Sequence, residues 1–87
     1  MSEANRDPED QLLVDGRGLE PPEPMARVLD ALDALSPGQR LLFLIHLEPR
    51  PLFRILVQNG YAYECTPDPD GFFRVLIWHA DHPLARP

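Results

Sequence analysis

The chain has 87 residues, a formal net charge of −6 and one cysteine, Cys65. This length allows a single domain. The acidic balance argues against nucleic acid and anionic membranes as partners, because both attract clustered positive charge. One cysteine excludes an internal disulfide and a multi-cysteine metal centre. The longest apolar run, Leu41 to Ile45, is too short to span a bilayer, and the first residues are acidic and polar, so we expect a cytoplasmic protein.

The first half of the chain predicts one strand and one helix after a polar lead. Residues 1–9 are charged and polar, and we expect them to be disordered. The short apolar run at residues 11–15 predicts a strand. Apolar side chains then recur at steps of three and four from Met25 to Leu35, which predicts an amphipathic helix that ends at Ser36-Pro37-Gly38.

The second half predicts a strand, a helix and a hairpin. Residues 40–47 form a nearly unbroken apolar run typical of a buried strand, and residues 51–58 fit a second helix. Residues 61–66 and 72–78 are predicted strands, and the sequence between them is typical of a turn. Residues 80–87 are expected to be an irregular tail.

The order β-α-β-α-β-β predicts an α+β fold over residues 10–79. We expect a two-layer α/β sandwich, in which a four-stranded mixed sheet carries both helices on one face. The outward side chains of the last strand would then leave an apolar free face, which either the loops or tail cover or a homodimer buries. Those possible interface residues are Phe72, Arg74, Leu76 and Trp78.

The segment LVDGRGLEPPEPM, residues 13–25, resembles the start of the TusA/SirA-like family of small bacterial sulfur carriers. That family opens with a strand, a D-x-R-G-L loop and a C-P-x-P motif at the first helix. The residues that match are Asp15, Arg17, Gly18 and Leu19 for the loop and Pro22, Glu23 and Pro24 for P-x-P. The resemblance implies the same β-α-β-α-β-β fold.

One position departs from the carriers. Pro21 stands where the family has its sulfur-accepting cysteine, and proline has no nucleophilic atom. The sequence looks more like an uncharacterised bacterial branch that has PPEP in this place and a second H-x-P-x-P-L signature. The segment HLEPRPL resembles that signature through His46, Glu48, Pro49, Arg50, Pro51 and Leu52, with Leu47 inserted between His46 and Glu48.

Both proline-rich loops are predicted to leave the carboxyl ends of parallel strands and enter helices. Ligands of open α/β sheets bind at that edge, and Arg17 and Arg50 could hold a small anion or an acidic peptide there. The alternative is that the loops are only rigid helix entries. His46 is either a hydrogen-bonded structural histidine or a ligand or proton carrier beside Glu48.

The sequence favours a non-catalytic binding or protein-interaction module without cofactor or metal. Its partner would be an unidentified protein or a small anionic ligand. The alternative function is sulfur transfer through Cys65 or through the thiol of a partner, although Cys65 on its predicted strand also fits a packing role. A small enzyme using His46 and Glu48 is the third and least favoured hypothesis.

Overall fold

The computed structural model describes residues 11–82 and confirms the α+β fold. The elements follow in the predicted order and are β1 (Gln11–Asp15), α1 (Glu23–Asp33), β2 (Arg40–Ile45), α2 (Arg50–Gln58), β3 (Tyr61–Pro67) and β4 (Phe73–His79). The predicted lead at residues 1–9 and residues 83–87 of the predicted tail lie outside the described residues. No helix within residues 11–82 is long and apolar enough to cross a membrane.

The four strands form one mixed sheet in the order β1-β2-β4-β3. Strands β1 and β2 run parallel, whereas β4 is antiparallel to both β2 and β3. Because β1 and β2 point the same way, the loops that follow them meet at one edge of the sheet. This edge is the one at which the sequence places both proline-rich loops.

Both helices pack on the same face of the sheet. Val28 and Leu32 of α1 and Leu52 and Leu56 of α2 are buried in one apolar cluster. The sheet contributes the buried side chains Leu41, Phe43, Val75 and Ile77. Full burial of each side chain of this size contributes about 1.5–3 kcal/mol, so burial of this cluster is a large favourable term in folding.

Strand β2 is shorter than its apolar run predicts. The prediction extends to Leu47, but β2 ends at Ile45, whose partner on β4 is Phe73. Beyond this pair the neighbouring strands offer no further partners, so the chain turns away and Leu47 is 77% exposed. Helix α2 begins at Arg50, one residue before the predicted start, with Pro51 in its first turn, where a missing N–H costs nothing.

The helix-free face of the sheet offers less apolar surface than the sequence suggests. The prediction sends Phe72, Arg74, Leu76 and Trp78 outward as a possible interface. Phe72 precedes β4 and, like Trp78, is only 9% exposed. Arg74 is exposed and Leu76 is half-buried. Two of the four expected interface residues are therefore already buried within the chain.

Candidate functional site

A cleft of about 240 Å³ lies between the two proline-rich loops, at the carboxyl ends of β1 and β2. Apolar side chains make up most of its wall, and among residues 11–82 the ionisable residues that line it are His46 and Glu48. The lining residues are Gly16, Leu19, Pro21, Pro22, Pro24, Met25, Phe43, Ile45, His46, Leu47, Glu48 and Pro49. The structure therefore brings the two predicted loops together around one space.

Gly16 allows the first loop to lie directly against β2. Its backbone N–H donates to the carbonyl oxygen of Leu44 at 2.7 Å. A Cβ at this position would lie 3.0 Å from both the Leu44 oxygen and Cε1 of Phe43. This close approach continues the pairing of β1 with β2 by one residue. It also holds the loop after β1, which forms one wall of the cleft, next to the end of β2, which forms part of the other wall.

Arg17 turns away from the cleft. Its guanidinium donates to both carboxylate oxygens of Asp15, each at 2.9 Å, and its backbone N–H donates to the same carboxylate at 3.1 Å. These hydrogen bonds lower the pKa of Asp15 to about 2. The guanidinium carbon also lies 4.6 Å from the ring centroid of Phe72. Gly18, with a φ of 80°, then reverses the chain toward α1.

The charged residues of the second loop are exposed. Arg50 lies 3.5 Å from Glu48, with 81% of the arginine side chain accessible. Among residues 11–82 the ring of His46 makes no hydrogen bond, so the hydrogen-bonded structural role, one of its two expected roles, has no partner there. Pro51 and Arg50 face a separate shallow depression beside Arg54.

The geometry does not favour a small anion in the cleft. Arg17 and Arg50 each have a carboxylate partner, and neither lines the space. Glu48 lines it, and Glu20 and Glu23 lie on the first loop and the first turn of α1. Glu23 pairs with Arg27 at 2.9 Å. The site is thus an apolar space with carboxylates around it, which suits an apolar group beside positive charge.

Cys65 lies on β3 opposite Val75, on the face that the helices cover. It is half-buried and does not line the cleft. Burial, and to a lesser degree the negative charge of Glu48, raises the pKa of its thiol. Thiolate chemistry is favoured by nearby positive charge, which this thiol does not receive from Arg17, so the surroundings do not activate it.

The histidines lie at opposite ends of the sheet, as predicted. His46 follows the end of β2, while His79 ends β4 and its Nε2 donates to the carbonyl oxygen of Leu35 at 3.0 Å. The predicted separation rules out a shared site for these two rings within one chain. Among residues 11–82 no group of three histidine, cysteine, aspartate or glutamate side chains is arranged to hold a metal ion.

Some lining residues were not singled out by the sequence. Met25, Phe43 and Ile45 were expected to be packing residues because they are apolar members of the predicted helix and strand, and Leu19 entered only as a match to the loop motif. Met25 lies in the first turn of α1 and Ile45 is the last residue of β2, so both lie at the sheet edge where the two loops meet. The sequence signal that could have indicated an apolar cleft is the presence of apolar residues at the end of a parallel strand.

Comparison with known proteins identifies a family. Neither a curated protein nor a solved structure matches the chain. A family model with the description "Uncharacterized conserved protein (DUF2249)" matches residues 13–79, from β1 through the last residue of β4, and so includes both loops of the cleft. Since the match covers most of the chain, the protein belongs to the DUF2249 family.

Proposed function

We propose that this protein is a non-catalytic interaction module whose cleft receives an apolar side chain from a basic segment of a partner protein. The apolar lining of the cleft is the observation that carries this proposal. Leu19, Met25 and Ile45 present hydrocarbon to a space of about 240 Å³, large enough for one large side chain. Removing such a side chain from water contributes about 1.5–3 kcal/mol, which alone gives weak and reversible binding.

The charge around the cleft supports a basic segment over an acidic one. Glu20 and Glu48 are exposed on the two loops, and the chain carries a net charge of −6. Complementary charge speeds association and excludes partners of the wrong sign. Arg17, the nearest cation on the first loop, is neutralised by Asp15 and turned toward Phe72.

The cleft also supports a proposed relationship to the sulfur carriers. Pro21 and Pro22 line it, and Pro21 stands at the position that the TusA/SirA-like motif gives to the cysteine. In this proposal the loop keeps the shape of a carrier's docking site while the chemical group is missing. Sulfur transfer through Cys65 gains no support from a half-buried thiol whose pKa is raised.

Methyl chemical shifts test the proposal directly. The probes are the peptides acetyl-Arg-Leu-Arg-amide and acetyl-Glu-Leu-Glu-amide, each titrated into the whole protein. We expect the basic peptide to shift the methyl signals of Leu19, Met25 and Ile45 and to leave Val57, on the exposed side of α2, in place. Shifts of equal size with the acidic peptide would contradict the preference for a basic segment. If neither peptide shifts these signals, the proposal that the cleft binds an apolar side chain is wrong.

Two exposed apolar residues give a matched pair of variants. Leu47 lines the cleft and is 77% exposed, whereas Val57 lies on α2 and is 64% exposed. Because both side chains are largely in solvent, replacing either with aspartate should leave the fold intact. We expect Leu47→Asp to alter the peptide response and Val57→Asp to leave it unchanged. An equal effect of both variants would contradict a site at the cleft.

A further inference from the structure

We propose that β1 pairs antiparallel with β1 of a second copy of this chain, which makes the two four-stranded sheets one continuous sheet. In the sheet order β1-β2-β4-β3, β1 is an edge strand. Its sequence, QLLVD, is apolar at its centre and lacks the lysine, proline or inward-pointing charge with which proteins usually protect an edge. Leu13, at its middle, is 63% exposed.

The backbone N–H and C=O of Leu13 point away from β2, toward the open edge of the sheet. Gly16 donates to Leu44 on β2, and backbone groups alternate in direction along a strand in a parallel pair. Leu12 and Val14 therefore share the direction of Gly16, while the N–H and C=O of Leu13 point to the open side. Two Leu13 residues placed opposite each other can exchange both hydrogen bonds, as in a hydrogen-bonded antiparallel pair.

The side chains are compatible with this register. Pairing centred on Leu13 places Leu12 against Val14 of the second copy on the helix face and Gln11 against Asp15 of the second copy on the other face. No two like charges lie directly opposite, which would be destabilising. The exposed Leu13 side chains would then contact each other and extend the row that Leu13 already forms with Leu42 and Leu76.

Helix α1 offers a second contact to the same partner. A groove runs along β1 beside α1, and Arg27, Asp30 and Ala31 of the helix line it together with Ala34, which directly follows the helix. The two-fold axis that pairs the strands would also set the two α1 helices antiparallel on the same side of the joined sheet. Arg27 already pairs with Glu23 of its own chain, so the groove supplies small side chains for this contact and no new ion pair.

The first test is the mass of the protein in solution, measured by sedimentation at several protein concentrations. The parent protein is expected to sediment as a dimer at high concentration and to dissociate on dilution. Leu13→Glu places two like charges opposite each other and is expected to give the mass of one chain, while circular dichroism shows an unchanged fold because the side chain is exposed. Val57→Glu, on the exposed side of α2, is the control and should remain dimeric. A parent that stays monomeric at every concentration, or a dimer that survives Leu13→Glu, would overturn the proposal.

Cross-linking tests the register and separates β1 pairing from a dimer through the helix-free face. In a Cys65→Ser background, Leu13→Cys puts two thiols on opposed residues with Cα atoms about 5.5 Å apart, within reach of a disulfide. Gln11→Cys puts them about 13 Å apart along the strands. Mild oxidation should therefore link the Leu13→Cys protein and leave the Gln11→Cys protein unlinked. Equal linking of both variants, or of neither, would contradict this register.

Discussion

The guanidinium of Arg17 lies over the ring of Phe72 at 4.6 Å, and this contact joins the loop after β1 to the β3–β4 hairpin. The same guanidinium holds the carboxylate of Asp15 with two hydrogen bonds. One side of the first loop is thus anchored to the end of the sheet, which leaves the other side to form the wall of the cleft. Arg17 acts on the candidate site by positioning the loop.

The Asp15 carboxyl is expected to titrate at about pH 2 in the native protein, below its ordinary value of 3.8. Arg17→Gln removes the charged hydrogen bonds that lower this pKa, so the midpoint should rise toward the ordinary value. Because the folded-state pKa is lowered, the stabilisation is present above about pH 4 and is lost as the pH falls through the folded-state pKa. Carboxyl carbon shifts measured by NMR give the midpoint.

Arg17→Lys is the control for the charge alone. Lysine keeps the positive charge but cannot make the bidentate pair or lie flat on Phe72. We expect a midpoint between those of the parent and Arg17→Gln. An Asp15 midpoint that is the same in all three proteins would show that Arg17 does not hold this carboxylate.

Gly16→Ala should destabilise the protein by about 1–3 kcal/mol, the range for overpacking a filled site. The added methyl would lie 3.0 Å from the backbone oxygen of Leu44, which cannot move without disturbing β2. Urea unfolding measures the change. Gly38→Ala is the matched control, because its Cβ would lie 3.8 Å from Cε1 of His82, an ordinary contact distance. Equal losses in the two variants would contradict the close approach at Gly16.

The Cys65 thiol should react more slowly with iodoacetamide than the same thiol in urea-unfolded protein, because burial raises its pKa and covers the sulfur. Incubation with a cysteine desulfurase and its substrate should leave the native mass unchanged. Mass spectrometry reads both results. A gain of one sulfur atom on Cys65 would favour the sulfur-transfer function over the interaction module.

The rings of Phe53 and Tyr63 stack at a centroid distance of 4.3 Å and 7° between planes, and so join α2 to β3. A double-mutant cycle with Phe53→Leu and Tyr63→Leu should give a coupling free energy of about 0.5–1.5 kcal/mol. Pairing Phe53→Leu with Tyr61→Leu is the comparison, since Tyr61 contacts His79 instead. Strictly additive effects of the first pair would mean that the stack contributes only buried area.

The fold could be predicted because each element carries its own pattern. The three- and four-residue spacing of α1 and the alternation in β4 are local signals, and they identify which side chains enter the core. The parallel relation of β1 and β2 then follows from the intervening helix, and it places both proline-rich loops at one edge. The position of the cleft was therefore accessible from the sequence.

The chemistry of the cleft could not be predicted from the sequence in the same way. Arg17 suggested an anion site because its sequence position lies in the loop, but the direction of its side chain depends on Asp15 two residues before and Phe72 far along the chain. Phe72 is buried, and part of its cover comes from this same contact with Arg17. An apolar run likewise cannot locate the end of β2, which is set by the last partner that β4 offers.

The antiparallel direction of β4 has a practical result for handling the protein. Gln11, the first residue of β1, and His79, the last residue of β4, lie at the same side of the sheet. Gln11 pairs with Arg40, and Arg40 pairs with Trp78, the residue before His79. The cleft opens at the other side. The described chain therefore begins and ends on the side of the sheet opposite the two proline-rich loops, and surface attachment through that side is expected to leave the cleft open to a ligand.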